Sequence, residues 1–132
     1  MPRDSSPTAS RSFVTSELIA PSVVATRMAG HISEQLANDG YAHFVSLLPP
    51  GGFVTWVMDI SRVQGFDART VRAGARWYDA YKAAGGSLVI CIAQKAAGRM
   101  AARALGFGAG LEVQVVDSLH EAVNSLGLVE YA

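Results

Sequence analysis

The chain has 132 residues, with 11 Lys and Arg against 11 Asp and Glu, and a sequence pI near 6.8. That length makes one domain with a buried core. Hydrophobic residues at 50% and a mean hydropathy of +0.23 exclude wholesale disorder, and the charge balance argues against a general nucleic-acid binder. The single Cys91 excludes an intramolecular disulfide framework and a Cys-rich zinc site. No apolar run reaches the roughly 18 residues of a membrane-spanning helix. The opening MPRDSSPTAS lacks the apolar stretch of a secretory signal. The expectation is a small cytoplasmic domain over residues 11–132, preceded by a disordered leader at 1–10.

Two short β-branched and aromatic segments come first, Ser12 to Leu18 and Val23 to Met28. Pro21 separates them, and both read as strands. From about Ser33 to Leu48 the period becomes helical, with Ala37, Tyr41, Phe44 and Leu48 on one face, and Pro49-Pro50-Gly51-Gly52 stops it. Phe53 to Met58 is continuously apolar and reads as a strand buried on both faces. Asp59 to Phe66 is expected to be a loop leading to Asp67, an N-cap for the next helix. In that helix Val71, Gly74, Ala75, Tyr78 and Tyr81 share the expected inner face, and Gly85-Gly86 ends it. Ser87 to Ile92 is a second central strand. A helix from about Gln94 to Leu105 is expected to stop at Gly106, and Leu111 to Val116 is the last strand. Ser118-Leu119-His120-Glu121 opens a final helix with a capping box, whose apolar face is Leu119, Ala122, Val123 and Leu126. Strands alternating with helices imply an α/β domain, a mixed and mostly parallel sheet with helices packed against it.

The stretch from Asp59 to Leu126 resembles the STAS domain, named for sulfate transporters and anti-sigma factor antagonists. The matching parts are Thr55-Trp56-Val57-Met58-Asp59-Ile60, Gly65-Phe66-Asp67, Gly85-Gly86-Ser87-Leu88-Val89-Ile90 and Asp117-Ser118-Leu119-His120-Glu121-Ala122. The resemblance implies a non-enzymatic regulator that binds a protein partner at the start of the Asp67 helix. It also marks a departure. The family's phosphorylated Ser or Thr stands two residues after the Asp, and that position here is Arg69 in Asp67-Ala68-Arg69-Thr70. A guanidinium carries the opposite sign to a phosphate, so the usual phosphorylation switch is not expected. Thr70, one residue off register, is a weak candidate acceptor and reads more readily as a plain first-turn helical residue.

Arg69, Arg72 and Arg76 lie at i, i+3 and i+7, one stripe on the Asp67 helix. Such a stripe is either a solvated face or a docking surface for an acidic or phosphorylated partner. Arg in a first turn opposes the helix dipole at about 0.3–1 kcal/mol. Trp77 falls off the expected inner face and is either an interface residue or a cover over the core edge. Asp67, Ala68, Arg69, Thr70, Arg72, Arg76 and Trp77 together are the candidate partner-binding residues. Lys95, Arg99 and Arg103 make a second basic stripe, read as a solvated face, with an acidic partner or an anionic membrane surface as the alternative.

Gly106-Phe107-Gly108-Ala109-Gly110 follows a helix and precedes a strand, the wrong order for a phosphate-cradling loop. His31, His43 and His120 have no metal-ligand spacing, and Cys91 sits mid-strand where a buried thiol is inert. Asp59 is expected to bond nearby backbone amides and Asp67 to cap its helix. No catalytic constellation, metal or cofactor is expected. The partner is expected to be a protein, an anti-sigma factor or kinase-like molecule, with no nucleic acid and no membrane span. The alternatives are an accessory subunit of a lipid-transport ATPase or sensory assembly, and a small apolar-ligand or nucleotide-binding domain with a pocket at Tyr78, Tyr81 and Phe107. Homo-oligomer formation is left open by the residues.

Overall fold

The structure, a computed structural model, describes residues 11–49 and 54–126. The expected leader at 1–10, the residues Pro50-Gly51-Gly52-Phe53 and residues 127–132 lie outside the described part.

The elements in chain order are β1 (Phe13–Ala20), β2 (Val23–Ile32), α1 (Glu34–Leu47), β3 (Thr55–Phe66), α2 (Ala68–Ala83), β4 (Leu88–Ile92), α3 (Ala96–Ala109), β5 (Glu112–Val116) and α4 (Leu119–Ser125). They form one five-stranded sheet whose spatial order is the chain order, β1-β2-β3-β4-β5. Only the β1–β2 pair is antiparallel, because a two-residue turn at Pro21-Ser22 can reverse the chain but cannot cross over. The other three pairs are parallel, each joined through a helix.

Crossovers of one hand that always add the next strand on the same side bring their helices to one face of the sheet. The packing follows that rule. Phe44 of α1, Trp77, Tyr78 and Tyr81 of α2 and Ala102 of α3 pack with Val24, Trp56, Met58, Val89 and Cys91 of the sheet. The alternate residues Val23, Ala25, Val57, Ile90, Ile92 and Val116 point the other way, where Ala122 of α4 meets them. The three-helix face therefore holds the larger core.

The long β3 corrects the loop expected over Asp59–Phe66. These residues continue the strand and pair with β2 through Arg27↔Asp59, Ala29↔Arg62, Gly30↔Val63 and Ile32↔Phe66, with two register shifts that absorb extra residues in β3. At the first shift Asp59 Oδ1 accepts from the Ser61 amide at 2.9 Å and the Ser61 hydroxyl at 2.6 Å, so the carboxylate satisfies irregular backbone as expected. The alternation of half-buried Val63 and Gly65 with exposed Arg62 and Gln64 was the strand signal.

Two helix details also differ. The expected stop at Gly106 fails: α3 continues to Ala109, and Gly110 at φ 74° is its left-handed cap. Gly106 serves packing instead, since a Cβ there would clash with Val113 Cγ2. In α2 the buried residues are Thr70, Ala73, Trp77, Tyr78 and Tyr81, a face rotated from the expected one. The reason is a second neighbour: α2 packs on α1 as well as on the sheet. Trp77 stacks on Phe44 at 4.7 Å between ring centroids and its indole N–H donates to the Ala37 carbonyl at 3.1 Å.

Candidate functional site

Asp67 is the N-cap of α2. Its extended backbone turns the chain into the helix and its Oδ1 accepts from the Thr70 amide at 3.0 Å. That amide, above all, holds the Asp67 carboxyl below its usual 3.8. Slight desolvation opposes it, and the Thr70 hydroxyl, the Arg69 amide and the nearby His31 ring add to the lowering. The residue that caps the helix is thus an anion at neutral pH, and it takes the first-turn amides that a bound anion would need.

Thr70 does not face solvent. It is 8% exposed, its hydroxyl donates to the Ile32 carbonyl at 2.7 Å, and it lies 3.2 Å from Asp67 Oδ1. This hydroxyl ties the start of α2 to the end of β2. Ala68, Arg69 and Arg72 are exposed around it, and among the described residues neither arginine has an ion-pair partner. Arg76 differs: its guanidinium carbon sits 4.2 Å over the Tyr41 ring and Nη1 donates to Asn38 Oδ1 at 3.3 Å, so it is committed to α1. Trp77, at 4% exposure, belongs to the core and is removed from the surface set. The structure therefore brings Asp67, Ala68, Arg69 and Arg72 to one exposed end, places Thr70 beneath them and separates Arg76 and Trp77 from them.

Phe66, the residue before the cap, is 41% exposed and was not singled out from the sequence. Its signal was the strand alternation hidden by reading a loop there. The sequence also gave no sign that Met100 and Phe107 of α3 would be 70% and 87% exposed, although both lie opposite Ala102 and Gly106 on the helix. Exposed Phe107 cannot line a pocket with Tyr78. Tyr81 is committed too, its hydroxyl lying 2.9 Å from the Val54 carbonyl and 2.5 Å from the Leu88 carbonyl. The pocket expected from those three residues is not assembled.

The Lys95–Arg103 stripe is broken in the middle. Arg99 pairs with Asp117 and donates through Nε to the Ala93 carbonyl at 2.8 Å, fastening α3 to the end of β5. Cys91 is fully buried, and burial above all pushes its thiol up to about 12, with Asp59 adding and Arg99 and Arg103 opposing. Among the described residues no group of three or more His, Cys, Asp or Glu is placed to hold a metal ion. None of the described helices is long and apolar enough to cross a membrane.

No protein-family model matches the sequence, and no curated protein matches it. Solved structures match by shape. One is an uncharacterized protein of the DUF3478 family with a SpoIIAA-like fold, from Shewanella loihica PV-4. It superposes with a TM-score of 0.71 at 13% identity, over 92% of this chain and 99% of that chain. Another is the anti-sigma factor antagonist SpoIIAA in its unphosphorylated form, with a TM-score of 0.63 at 14% identity, over 86% of this chain and 97% of that chain. The chain thus has a SpoIIAA-like, STAS-like α/β fold.

Proposed function

We propose that this chain is a non-enzymatic regulatory domain of the cytoplasm that binds a protein partner through the start of α2, without a phosphorylation switch. The observation that carries the reading is the pair Arg69 and Arg72, exposed at a helix N-terminus without ion-pair partners among the described residues. Arg69, in the first turn, opposes the helix dipole, and Asp67 offsets it only through the capping bonds. A partner carboxylate or phosphate would meet both guanidinium groups, and Phe66 beside them supplies apolar contact. The likeness in shape to an anti-sigma factor antagonist along nearly its whole length supports a regulatory role. Arg69 stands where that kind of site carries an acceptor hydroxyl, and the one hydroxyl nearby, on Thr70, is turned inward. The binding surface is accordingly Phe66, Asp67, Ala68, Arg69 and Arg72, and its partner surface is acidic.

The test is a tagged pull-down from the producing cells with wild type beside Arg69→Glu, partners being identified by mass spectrometry. Glu in a first turn suits the helix dipole, so the variant keeps its fold. A protein held by wild type and lost by the variant is the expected result. The same proteins on both baits would move the interface away from α2. An ATPase subunit as the lost partner would place the domain in a transport assembly, an anti-sigma factor or kinase in a signalling one.

A further inference from the structure

The two edges of the sheet are unlike. At one edge β5 has five residues, and so short a strand offers little backbone to pair with. At the other, β1 has eight, Phe13–Ala20, and none is the Lys or Pro that ordinarily blunts an edge. Among the described residues β1 pairs with β2 alone.

Which backbone groups face outward follows from one contact. His43 Nε2 of α1 donates to the Ser16 carbonyl at 3.0 Å, so that carbonyl is turned away from β2. The Ser16 side chain agrees, its hydroxyl lying 2.9 Å from that of its cross-strand partner Thr26. Such closeness suits a pair that exchanges no backbone bonds. Backbone direction alternates along a strand. Val14, Ser16 and Leu18 therefore present their N–H and C=O groups at the edge, and Thr15 and Glu17 present theirs to β2.

Beside this edge runs a groove of about 460 Å³, lined by Val14, Thr15 and Ser16 on the strand and by Leu36, Asp39 and His43 on α1. Leu18 shares the face of Val14 and Ser16 and is 47% exposed. The groove is acidic. Helix α1 carries Glu34 and Asp39 and β1 carries Glu17, and neither element has a Lys or Arg. Arg27 holds Glu17 at 3.3 Å, whereas Asp39 has no ion-pair partner among the described residues. A second copy of β1 would bring Asp39 no cation and would add its own Glu17, so the edge does not suit itself.

We propose that the β1 edge is a docking site for an extended, basic segment of another protein, which adds a sixth strand to the sheet. Its backbone pairs with Val14, Ser16 and Leu18 and displaces His43 from the Ser16 carbonyl. Its apolar side chains lie on Leu36 and Leu18, and a Lys or Arg meets Asp39. In strand addition the main-chain bonds give affinity and the flanking side chains give specificity. The site shares no residue with the start of α2 and stands whether or not that end binds a partner.

The experiment titrates the full chain with two capped hexapeptides, Lys-Val-Thr-Val-Lys-Val and Glu-Val-Thr-Val-Glu-Val, and follows backbone amides by NMR. In the free protein the amides of Val14 and Leu18 should exchange about tenfold faster than those of Thr15 and Glu17, or more. The basic peptide should slow the first pair to the rate of the second. The acidic peptide should bind about tenfold more weakly, the scale of one charge-assisted bond, and Asp39→Lys should reverse the order. Leu18→Pro removes an outward N–H and leaves the β2 ladder intact; it should keep the fold and weaken the basic peptide by about tenfold. Equal exchange of all four amides in the free protein would overturn the outward assignment. Absence of shifts along β1 with either peptide would overturn the site, and equal affinity for both would overturn the basic occupant. Dimerisation through β1 without peptide would make the occupant a second copy and overturn the proposal.

Discussion

Helices α2 and α3 follow neighbouring parallel strands and lie on the same face of the sheet, yet they are held by different means. Helix α2 starts on a side-chain cap from Asp67 and puts Trp77, Tyr78 and Tyr81 into the core. Helix α3 starts at Lys95 with no side-chain cap and offers Ala102 and Gly106 as its buried residues, with Leu105 half-buried. Aromatic side chains bury several times the area of alanine, so α2 is riveted where α3 is laid on. A cavity of about 100 Å³ lies under both helices, where Ala101 and Ala102 of α3 stand across from Trp77 and Tyr78 of α2. One helix carries the fold, and the other gives it room.

Trp77→Ala should break the contrast most strongly. It removes the ring stacked on Phe44, which itself lies between Trp77 and Trp56, and the bond to Ala37, and should cost about 3–5 kcal/mol. Leu105→Ala on α3 should cost about 1–2 kcal/mol, as expected for a half-buried side chain. Equal losses in denaturant titration would show that the two helices are held alike.

Next in size is Tyr81→Phe. Its hydroxyl bridges the Val54 and Leu88 carbonyls, tying β3 to β4, and its loss should cost about 1–3 kcal/mol. The urea midpoint should fall in this variant and not in Tyr78→Phe, one helical turn away, where the hydroxyl has no hydrogen-bond partner.

A smaller change narrows the difference from the other side. Lys95→Asp gives α3 the side-chain cap it lacks and puts a carboxylate at the positive end of the helix, a gain of about 1 kcal/mol. Amide exchange in the first two turns of α3 should slow, and unchanged exchange would mean that its start is limited by something other than the cap.

The smallest effect concerns pH. Because the folded pKa of Asp67 is lowered below 3.8, the unfolded chain binds the proton first as pH falls. The stabilising contribution is therefore whole above the ordinary carboxylate range and is lost as pH drops through the folded value. Asparagine caps a helix but does not titrate in this range. The stability difference between wild type and Asp67→Asn should shrink as pH falls below about 4. A difference independent of pH would show that the capping bonds do not depend on the charge.

Much of the fold was legible in the chain, and the places where reading failed share a cause. Asp67, Ser33 and Ser118 cap helices through contacts with residues three positions on, so they are visible in sequence. The buried runs around Val57 and Ile90 are continuous because both faces of a central strand are covered. The end of β3 was missed because its pairing partner, the end of β2, lies more than thirty residues away. Trp77 was left between core and surface because helical periodicity shows one buried face, and α2 has two neighbours. At the candidate site, the order Asp67-Ala68-Arg69-Thr70 and the departure at Arg69 could be read directly. That Thr70 turns inward to Ile32, and that Arg76 is spent on Tyr41, could not.

The sequence by itself determined the elements, their alternation and the helix starts, since those rest on contacts within a few residues and on the burial pattern of each strand. Tertiary structure decided which faces of α2 are buried, which arginines stay free of α1, and that the Tyr78 hydroxyl is buried without a hydrogen-bond partner. Those outcomes depend on how segments far apart in the chain fit against one another, and shape complementarity across a core is not written in the spacing of any one segment.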